Sequence, residues 1–292
     1  MRFADIGQQL RAYRLESGLR AEEIAARLGV SRAALYRYEK GEVIKLDTIR
    51  RLAELLKISP LSLLGIGVEY FSRPLALGER MRQVEETADQ MLQVGGALCL
   101  QVTTDTLDGA LAEAFVELAD ASPDRLPARS VAEQALAQIS QRKRLYAQRR
   151  PSIIAMLGET SLRTMLKDGI GAHLPLSERT RTRCLLAAHA EAEHIADLMQ
   201  SDPMGLQIGL LPGGDPAGNF TVLRDRERAH LCANPFPPDA SPFGAVGVGM
   251  ITGAEEAVAI HQRVAETVWR DALKGMAGAE RVRALIRAAE AG

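Results

Sequence analysis

The sequence HAEAEH at residues 189–194 contains the residue types that bind transition metals. On a helix, His189 and Glu193 would share one face, and so would Glu191 and His194. The spacing differs from the His-Glu-x-x-His pattern of zinc enzymes, and no second cluster of ligands accompanies it. We therefore predict a solvated helix face, with a metal site as the alternative.

Two glycine-rich stretches, at residues 212–219 and 244–253, are the next candidates for ligand chemistry. Neither has the spacing of a phosphate-binding loop or of a dinucleotide fingerprint. Turns and hairpins are the better interpretation of both stretches, and a nucleotide site is the alternative.

The sequence contains residue types that can act as a nucleophile and a general base. Their spacing matches no known catalytic motif, so we do not predict a nucleophilic site. Cys99 and Cys232 lie in apolar runs and are expected to be inert core residues. We predict no catalytic residue, no metal and no cofactor, and hence no enzyme. An enzyme fused to a DNA-binding module that controls its own expression is an alternative, and it would need a pocket of converging polar groups with perturbed pKa values. The residues considered as nucleophile or base are Ser161, Cys184, Cys232, His230 and His261.

A run of basic residues at positions 142–150 suggests a third kind of chemistry, contact with an anion. Cations are favourable near the negative end of a helix, so a solvated helix end explains the run. An auxiliary contact to DNA or another anion is the alternative.

Length and composition indicate an ordinary globular protein of two domains: 292 residues, 47% hydrophobic and 25% charged. Three cysteines without CxxC spacing favour a reducing compartment. The start of the chain is charged, and the sequence has no apolar run of about 18 residues. We expect a cytoplasmic protein with no signal peptide and no membrane partner.

Charge is unevenly distributed along the chain. Residues 1–64 hold 12 Lys/Arg and 8 Asp/Glu, giving +4, whereas the remainder holds 24 and 29, giving −5. A small basic module joined to a larger acidic one suggests an anionic partner for the basic module.

Apolar spacing in the first 64 residues predicts five short helices. Gly29 follows the second helix at the position of a left-handed C-cap, and Ser31 can cap the third. Two short helices joined through the sequence LGVS at residues 28–31 form a helix-turn-helix.

The chain resembles the Cro and phage-repressor (XRE) type of helix-turn-helix regulator from Ile6 to Leu64. The most specific matching parts are Ala25, the LGVS turn, the sequence YEKG at residues 38–41, and the repeat Leu52-Ala53…Leu56. The resemblance implies a sequence-specific module that binds double-stranded DNA.

The resemblance also implies roles for individual residues. Those outward on the third helix match a recognition helix, which lies in the major groove where Arg can bind guanine. Glu39 matches an acidic residue that braces either Arg14 or the next loop, so its implied role is structural. The residues implied in DNA binding are Arg14, Arg20, Ser31, Arg32, Ala33, Tyr36, Arg37, Lys40 and Lys45.

Two departures from the family pattern concern the contacts with DNA. Arg20 and Ala21 stand where the family usually has Ser-Gln at the start of the second helix. Residues 43–46 replace the usual proline after the recognition helix.

The remainder of the chain is predicted to be an α+β domain. We expect helices over residues 77–94, 107–120, 130–150, 177–199 and 280–289, a further helix from a capping box at 252–255 to about residue 273, and strands over 152–157, 206–211, 219–223 and 230–233. The fold class is mainly α with a small sheet: a five-helix module at residues 1–66, a linker at 67–76 with a hinge at Gly65–Gly67, and a C-terminal sensing and dimerisation domain at 77–292.

Three segments of the C-terminal part, at residues 98–111, 142–166 and 206–225, resemble the second domain of antitoxin-like bacterial regulators. The resemblance implies a sensor or interaction domain attached to a DNA-binding module. We therefore expect a transcriptional regulator, most plainly a repressor, that binds its operator as a homodimer and responds to a small-molecule effector or a partner protein. The alternative is an antitoxin-like regulator whose C-terminal domain binds a partner protein.

Overall fold

A computed structural model of the chain describes residues 3–64 and 67–291, with side chains from Ile6 onward. Its helices are α1 (Phe3–Ser17), α2 (Ala21–Leu28), α3 (Arg32–Glu39), α4 (Leu46–Leu56), α5 (Pro60–Leu63), α6 (Pro74–Glu85), α7 (Asp105–Ala121), α8 (Arg125–Arg149), α9 (Glu159–Asp168), α10 (Glu178–Ser201), α11 (Glu255–Asp271) and α12 (Gly275–Glu290). Its strands are β1 (Val68–Phe71), β2 (Gln90–Val94), β3 (Ser152–Gly158), β4 (Leu206–Leu211), β5 (Phe220–Arg224), β6 (Ala229–Ala233), β7 (Gly249–Thr252) and β8 (Leu273–Lys274). None of the helices in this described part is long and apolar enough to cross a membrane.

The predicted five-helix N-terminal module is present, with helices close to the expected positions. Leu10, Ile24, Leu35 and Leu52 come from four different helices, and each is fully buried in the core that they share. Apolar residues on one face of each short helix thus build this core, as the spacing predicts.

The larger part contains a mixed sheet of eight strands in the order β1-β7-β6-β5-β2-β3-β4-β8. Strands β2, β3 and β4 are parallel to one another, and the other pairings are antiparallel. Successive residues of β3 face opposite sides: Ile153 and Ala155 pack with α7, α9, α10 and α12, whereas Met156 packs with α11. Helices therefore cover both faces of the sheet, and the predicted α+β class is confirmed.

Two local expectations in this part of the chain are wrong. The predicted helix at 77–94 ends at Glu85, and residues 90–94 form β2. Strand β2 lies between β3 and β5, whose backbone groups pair with both of its edges. The apolar positions Met91 and Val94 fit helical spacing, but pairing with strands distant in sequence decides the conformation.

The segment expected to be a linker, residues 67–76, is built into the body instead. It contains β1, which pairs with β7 from Val68↔Thr252 to Phe71↔Gly249, and the first turn of α6. The predicted hinge at Gly65–Gly67 lies largely outside the described residues.

Helix α1 packs directly on α6, so the N-terminal module is attached to the body over a broad contact. Phe71 of β1 stacks on Tyr13, with ring centroids 5.5 Å apart. The Glu16 carboxylate accepts hydrogen bonds from the backbone amides of Ser72 (2.7 Å) and Arg73 (3.0 Å) just before α6 begins. Apolar residues of the module and of the body form one continuous core.

Polar contacts accompany the apolar ones between α1 and the body. Gln9 donates a hydrogen bond to Glu69 of β1 (2.9 Å), and Glu69 also accepts two hydrogen bonds from Arg80 of α6. Arg11 forms an ion pair with the buried Glu79 at 3.1 Å. Because each buried carboxylate has a positively charged partner, the contact fixes the orientation of α1 on α6.

Glu159 is a buried carboxylate that connects α9 with α12. It accepts two hydrogen bonds from Arg281 (2.6 and 2.8 Å) and others from Arg163. The hydrogen bonds from Arg281 lower the pKa of Glu159 from 4.5 to about 2, against the opposing effect of burial.

Glu159→Gln is expected to lower the free energy of unfolding at neutral pH and to make that free energy less dependent on pH. The folded-state pKa of Glu159 lies below its unfolded value, so its stabilising contribution is present above about pH 4.5 and is lost as the pH falls towards 2. The measurement is the free energy of unfolding by denaturant at pH 7, 5, 4 and 3. Glu280→Gln, which changes an exposed neighbour of Arg281, is the control; a variant and parent that lose stability in parallel on acidification would contradict the assignment.

Candidate nucleic-acid interface

The turn between α2 and α3 has the geometry that its residues predict. Gly29 adopts a left-handed conformation (φ 70°), which is accessible to glycine without strain. The Val30 amide then donates a hydrogen bond to the Ala25 carbonyl oxygen at 3.0 Å. Ser31 caps α3, its hydroxyl accepting from the Ala34 amide at 3.1 Å. These local bonds fix the angle at which α3 leaves α2.

Helix α3 is held against α1 by a buried ion pair. Arg14 donates to both carboxylate oxygens of Glu39, at 2.6 and 3.0 Å. The side chains of Arg14 and Glu39 are only 15% and 6% exposed. A glycine on α1 allows the close approach, because a Cβ at Gly7 would lie 2.5 Å from the Tyr38 carbonyl oxygen. Glu39 therefore has the bracing position that the sequence predicts.

The ion pair with Glu39 holds the Arg14 side chain between α1 and α3, away from the exposed face of α3. Two of its guanidinium nitrogens donate to Glu39, and burial leaves little of the side chain open to solvent. A phosphate contact by Arg14, which the resemblance implies, would have to compete with a buried, bidentate partner.

The outward face of α3 carries the residues expected to contact bases. Arg32 and Arg37 are 58% and 61% exposed, and Ala33 between them is exposed. Tyr36 is half-buried; the Arg32 guanidinium lies 5.3 Å from its ring centroid and donates to its hydroxyl at 3.2 Å. On the opposite side, Ala34 and Leu35 are buried in the core. The predicted recognition face is therefore a continuous exposed surface.

Acidic residues that the sequence analysis did not single out pair with these arginines. Glu22 of α2 lies 2.7 Å from Arg32, and Glu42 lies 3.5 Å from Arg37. Ion pairs between side chains this exposed contribute little to stability, so a nucleic acid can displace them. The pair of Glu22 with Arg32 depends on the angle between α2 and α3, which the sequence does not give. The pair of Glu42 with Arg37 could have been predicted, because the two residues are only five positions apart.

Three further cations flank this face. Lys40 and Lys45 are exposed near the end of α3 and at the start of α4. Arg20 precedes α2, is 78% exposed and lies 3.5 Å from Glu23. Together with the two arginines of α3, the flanking residues make the outer side of the module basic.

The basic run of α8 is a solvated helix end only in part. The Arg142 side chain is 12% exposed and donates to Glu85 of α6, while Lys143 contacts Asp108 of α7. The prediction of a solvated position is wrong for Arg142 and Lys143, because each is paired with a carboxylate of a neighbouring helix and is largely covered by it. Arg144, Arg149 and Arg150 are exposed, as predicted.

The HAEAEH segment lies within α10, and its side chains have separate partners. The rings of His189 and His194 contact the carbonyl oxygens of Leu166 (2.9 Å) and Val102 (3.0 Å). Glu191 is buried and accepts from the amide and hydroxyl of Thr104. In residues 3–64 and 67–291, no three His, Cys, Asp or Glu side chains converge in a way that could hold a metal ion.

The three cysteines are buried in the folded chain. Burial raises the pKa of the Cys99 and Cys232 thiols to about 12 and also raises that of Cys184. At neutral pH these groups are thiols and not the reactive thiolates.

Comparison with known proteins identifies the N-terminal unit. A family model described as a helix-turn-helix domain matches residues 5–63. A solved structure of TrmBL2, an archaeal chromatin protein described as showing a novel mode of DNA binding, is 14% identical with a TM-score of 0.33. The match covers 78% of this chain and 61% of the TrmBL2 chain. The comparison with curated proteins gave no match. Residues 5–63 are thus a helix-turn-helix domain.

Proposed function

We propose that the protein is a sequence-specific transcriptional regulator of the Cro and phage-repressor (XRE) type, acting as a cytoplasmic homodimer. The observation that carries the proposal is the exposed face of α3, with Arg32, Ala33 and Arg37 outward and the opposite side buried. A helix presented in this way enters the major groove, where each arginine can donate two hydrogen bonds to guanine.

Binding to the DNA backbone is assigned to the flanking cations. Arg20, Lys40 and Lys45 are exposed around α3 and can neutralise phosphates on both sides of the groove. The weak pairs of Arg32 with Glu22 and of Arg37 with Glu42 keep these side chains near the surface of the free protein. Displacing the carboxylates is a small cost compared with the contacts that DNA offers.

Dimerisation follows from the short length of the recognition helix. Helix α3 has 8 residues and spans about 12 Å, enough for only a few base pairs. Two modules on half-sites about 34 Å apart would give a useful specificity. Repression would then arise because the bound dimer excludes RNA polymerase from the promoter.

The C-terminal part is proposed to be regulatory, sensing a small molecule or a partner protein without catalysis. The thiols of Cys99 and Cys232 are buried, and burial raises the pKa of each, which supports a structural role for both. The alternative is an antitoxin-like protein that silences a partner protein. Co-purification of a small protein in stoichiometric amount would favour this alternative.

Arg37→Ala is expected to weaken binding to the operator by about 1–3 kcal/mol, or roughly 5- to 150-fold in Kd. The reason is the loss of a bidentate contact to a base. The measurement is fluorescence anisotropy with a labelled duplex from the region upstream of its own gene and a scrambled duplex, at several salt concentrations. Arg129→Ala on α8 removes a similarly exposed arginine from the body and should change nothing.

Lys40→Ala separates backbone contacts from base contacts in the same assay. A phosphate contact gives equal weakening on both duplexes and lowers the salt slope by about one. If Arg37→Ala leaves the affinity for the operator unchanged, α3 is not the recognition helix. If the parent binds both duplexes equally at every salt concentration, the proposal of sequence-specific regulation is wrong.

A further inference from the structure

A cavity of about 860 Å³ lies in the body at the carboxyl ends of β2 and β3. It is bordered by α6, one face of α8, one face of α9 along its whole length and the loop at residues 234–242. The volume is within the range of binding sites for small molecules, and carboxyl ends of parallel strands are a common place for them.

The lining combines an apolar body with uncharged polar groups. Met81, Met91, Leu100 and Phe115 are buried residues that contribute apolar surface. The polar side chains in the lining include those of Gln93, Gln138, Asn219, Thr221 and Asn234. A ligand with an apolar frame and a few hydrogen-bonding atoms would match these walls.

The arginines in the lining are already bound to protein groups. Arg142 donates to both carboxylate oxygens of Glu85. Arg181 donates to three carbonyl oxygens, those of Leu176, Ala172 and Leu174, at 3.0 to 3.2 Å. The charge of Arg142 is therefore balanced by a carboxylate, whereas Arg181 is held by neutral carbonyl groups and keeps its positive charge.

Carboxylates outnumber these arginines in the lining. Asp168, Asp215 and Asp239 all face the cavity. Asp215 accepts a hydrogen bond from the backbone amide of Ser161, and Asp239 accepts one from the backbone amide of Gly171. The resulting potential disfavours an anion and favours a cationic ligand.

Helix α6 separates this cavity from the helix-turn-helix domain and contacts both. Leu77 and Met81 line the cavity and also belong to the core that includes α1. On the side facing α1, Glu79 pairs with Arg11, and Gln83 donates to the Gln8 carbonyl oxygen at 3.1 Å. A ligand that displaces α6 would consequently move α1, and with it α3.

We propose that this cavity binds a cationic amphipathic small molecule, and that its occupancy changes the affinity of the helix-turn-helix domain for DNA through α6. The second half of the proposal rests on the proposed function; the first half does not. A ligand can shift DNA affinity only through its differential affinity for the two arrangements of α6 and α1.

The test of the site uses two probe pairs of similar shape and opposite charge on the full chain without DNA. Tetraphenylphosphonium is compared with tetraphenylborate, and phenyltrimethylammonium with benzenesulfonate, by isothermal titration calorimetry in sodium buffer at pH 8. We expect at least one of the cations to bind with 1:1 stoichiometry and at least about tenfold more tightly than its anionic counterpart.

Two substitutions locate the binding. Ala135→Trp on α8 fills the cavity and should abolish it, with Ala97→Phe as a second filling variant and circular dichroism as the check on folding. Asp168→Asn removes a cavity charge at the last residue of α9 and should weaken cation binding by about 2- to 5-fold. Asp271→Asn, at the last residue of α11 and outside the cavity, is the matched control.

The possible outcomes distinguish the binding site, the coupling through α6 and the proposed function. Tighter binding of the anions, binding that survives both filling variants, or no binding of either cation at millimolar concentration would overturn the site. Binding of a cation with no change in operator affinity, measured by anisotropy, would overturn the coupling through α6. A chain that binds the cation in the cavity but shows no sequence-specific DNA binding would contradict only the proposed function.

Discussion

Phe71→Ala is expected to lower the free energy of unfolding by about 3–5 kcal/mol. Phe71 is fully buried and stacks on Tyr13 of α1, so its loss leaves a cavity between the body and the helix-turn-helix domain. The measurement is denaturant unfolding followed by circular dichroism, with hydrogen exchange to locate the loosened segment. Amide protection in α1 should fall more than protection in the sheet.

Tyr70→Ala provides the matched control on the same strand. Tyr70 is 59% exposed, and its side chain lies on the other side of β1. A loss of no more than about 1 kcal/mol is expected there. The parent should unfold in one cooperative transition, because one core is common to both parts. Separate transitions for the two parts, or equal losses in the two variants, would show that Phe71 does not join them.

The helix-turn-helix domain could be predicted in detail because its signals are local. Gly29 and Ser31 determine the turn through the conformation of one residue and one hydrogen bond, and each partner lies within five positions. Strand β2 could not be recognised in the same way. Its residues fit helical spacing, and they form a strand because they pair with β3, about 60 residues later, and with β5, more than 120 residues later.

The attachment of the domain and the cavity were missed for a similar reason. Gln9 and Glu16 look like solvated positions of an amphipathic helix, but their partners are Glu69, Ser72 and Arg73. Arg142 looked like part of a solvated basic helix end, and its partner Glu85 is 57 residues away. A sequence gives no spacing rule for a pair of charges that meet only after the body has folded.

Direct attachment has a consequence for regulation. A domain on a flexible linker would find its half-site independently of the body, so that an effector could act only through the distance between two modules. Here α1 is fixed on the body by the buried stack of Tyr13 on Phe71 of β1 and by the bonds of Glu16 to the amides just before α6. The orientation of α3 is therefore set by the body, and in the proposed dimer small displacements of α6 would change the angle between the two α3 helices.

Glu39→Ala is expected to destabilise the protein by about 3–5 kcal/mol, because it leaves Arg14 buried without its partner. The Arg14→Met/Glu39→Leu double variant removes both charges and should recover most of the loss. Arg50→Ala, which removes an exposed arginine paired with Asp47 and Glu54, should cost less than about 1 kcal/mol. Denaturant unfolding of the four proteins tests the brace.

The same variants decide between the two roles that the sequence suggests for Arg14. As a brace, Arg14 supports α3 from within, so the double variant should keep the salt slope of DNA binding while a destabilised Glu39→Ala loses affinity at every salt concentration. As a phosphate contact, Arg14 would lower the salt slope by about one when removed, even in the stable double variant. The second result would mean that the guanidinium leaves Glu39 when DNA binds, since a side chain 15% exposed cannot reach a phosphate from its place in the free protein.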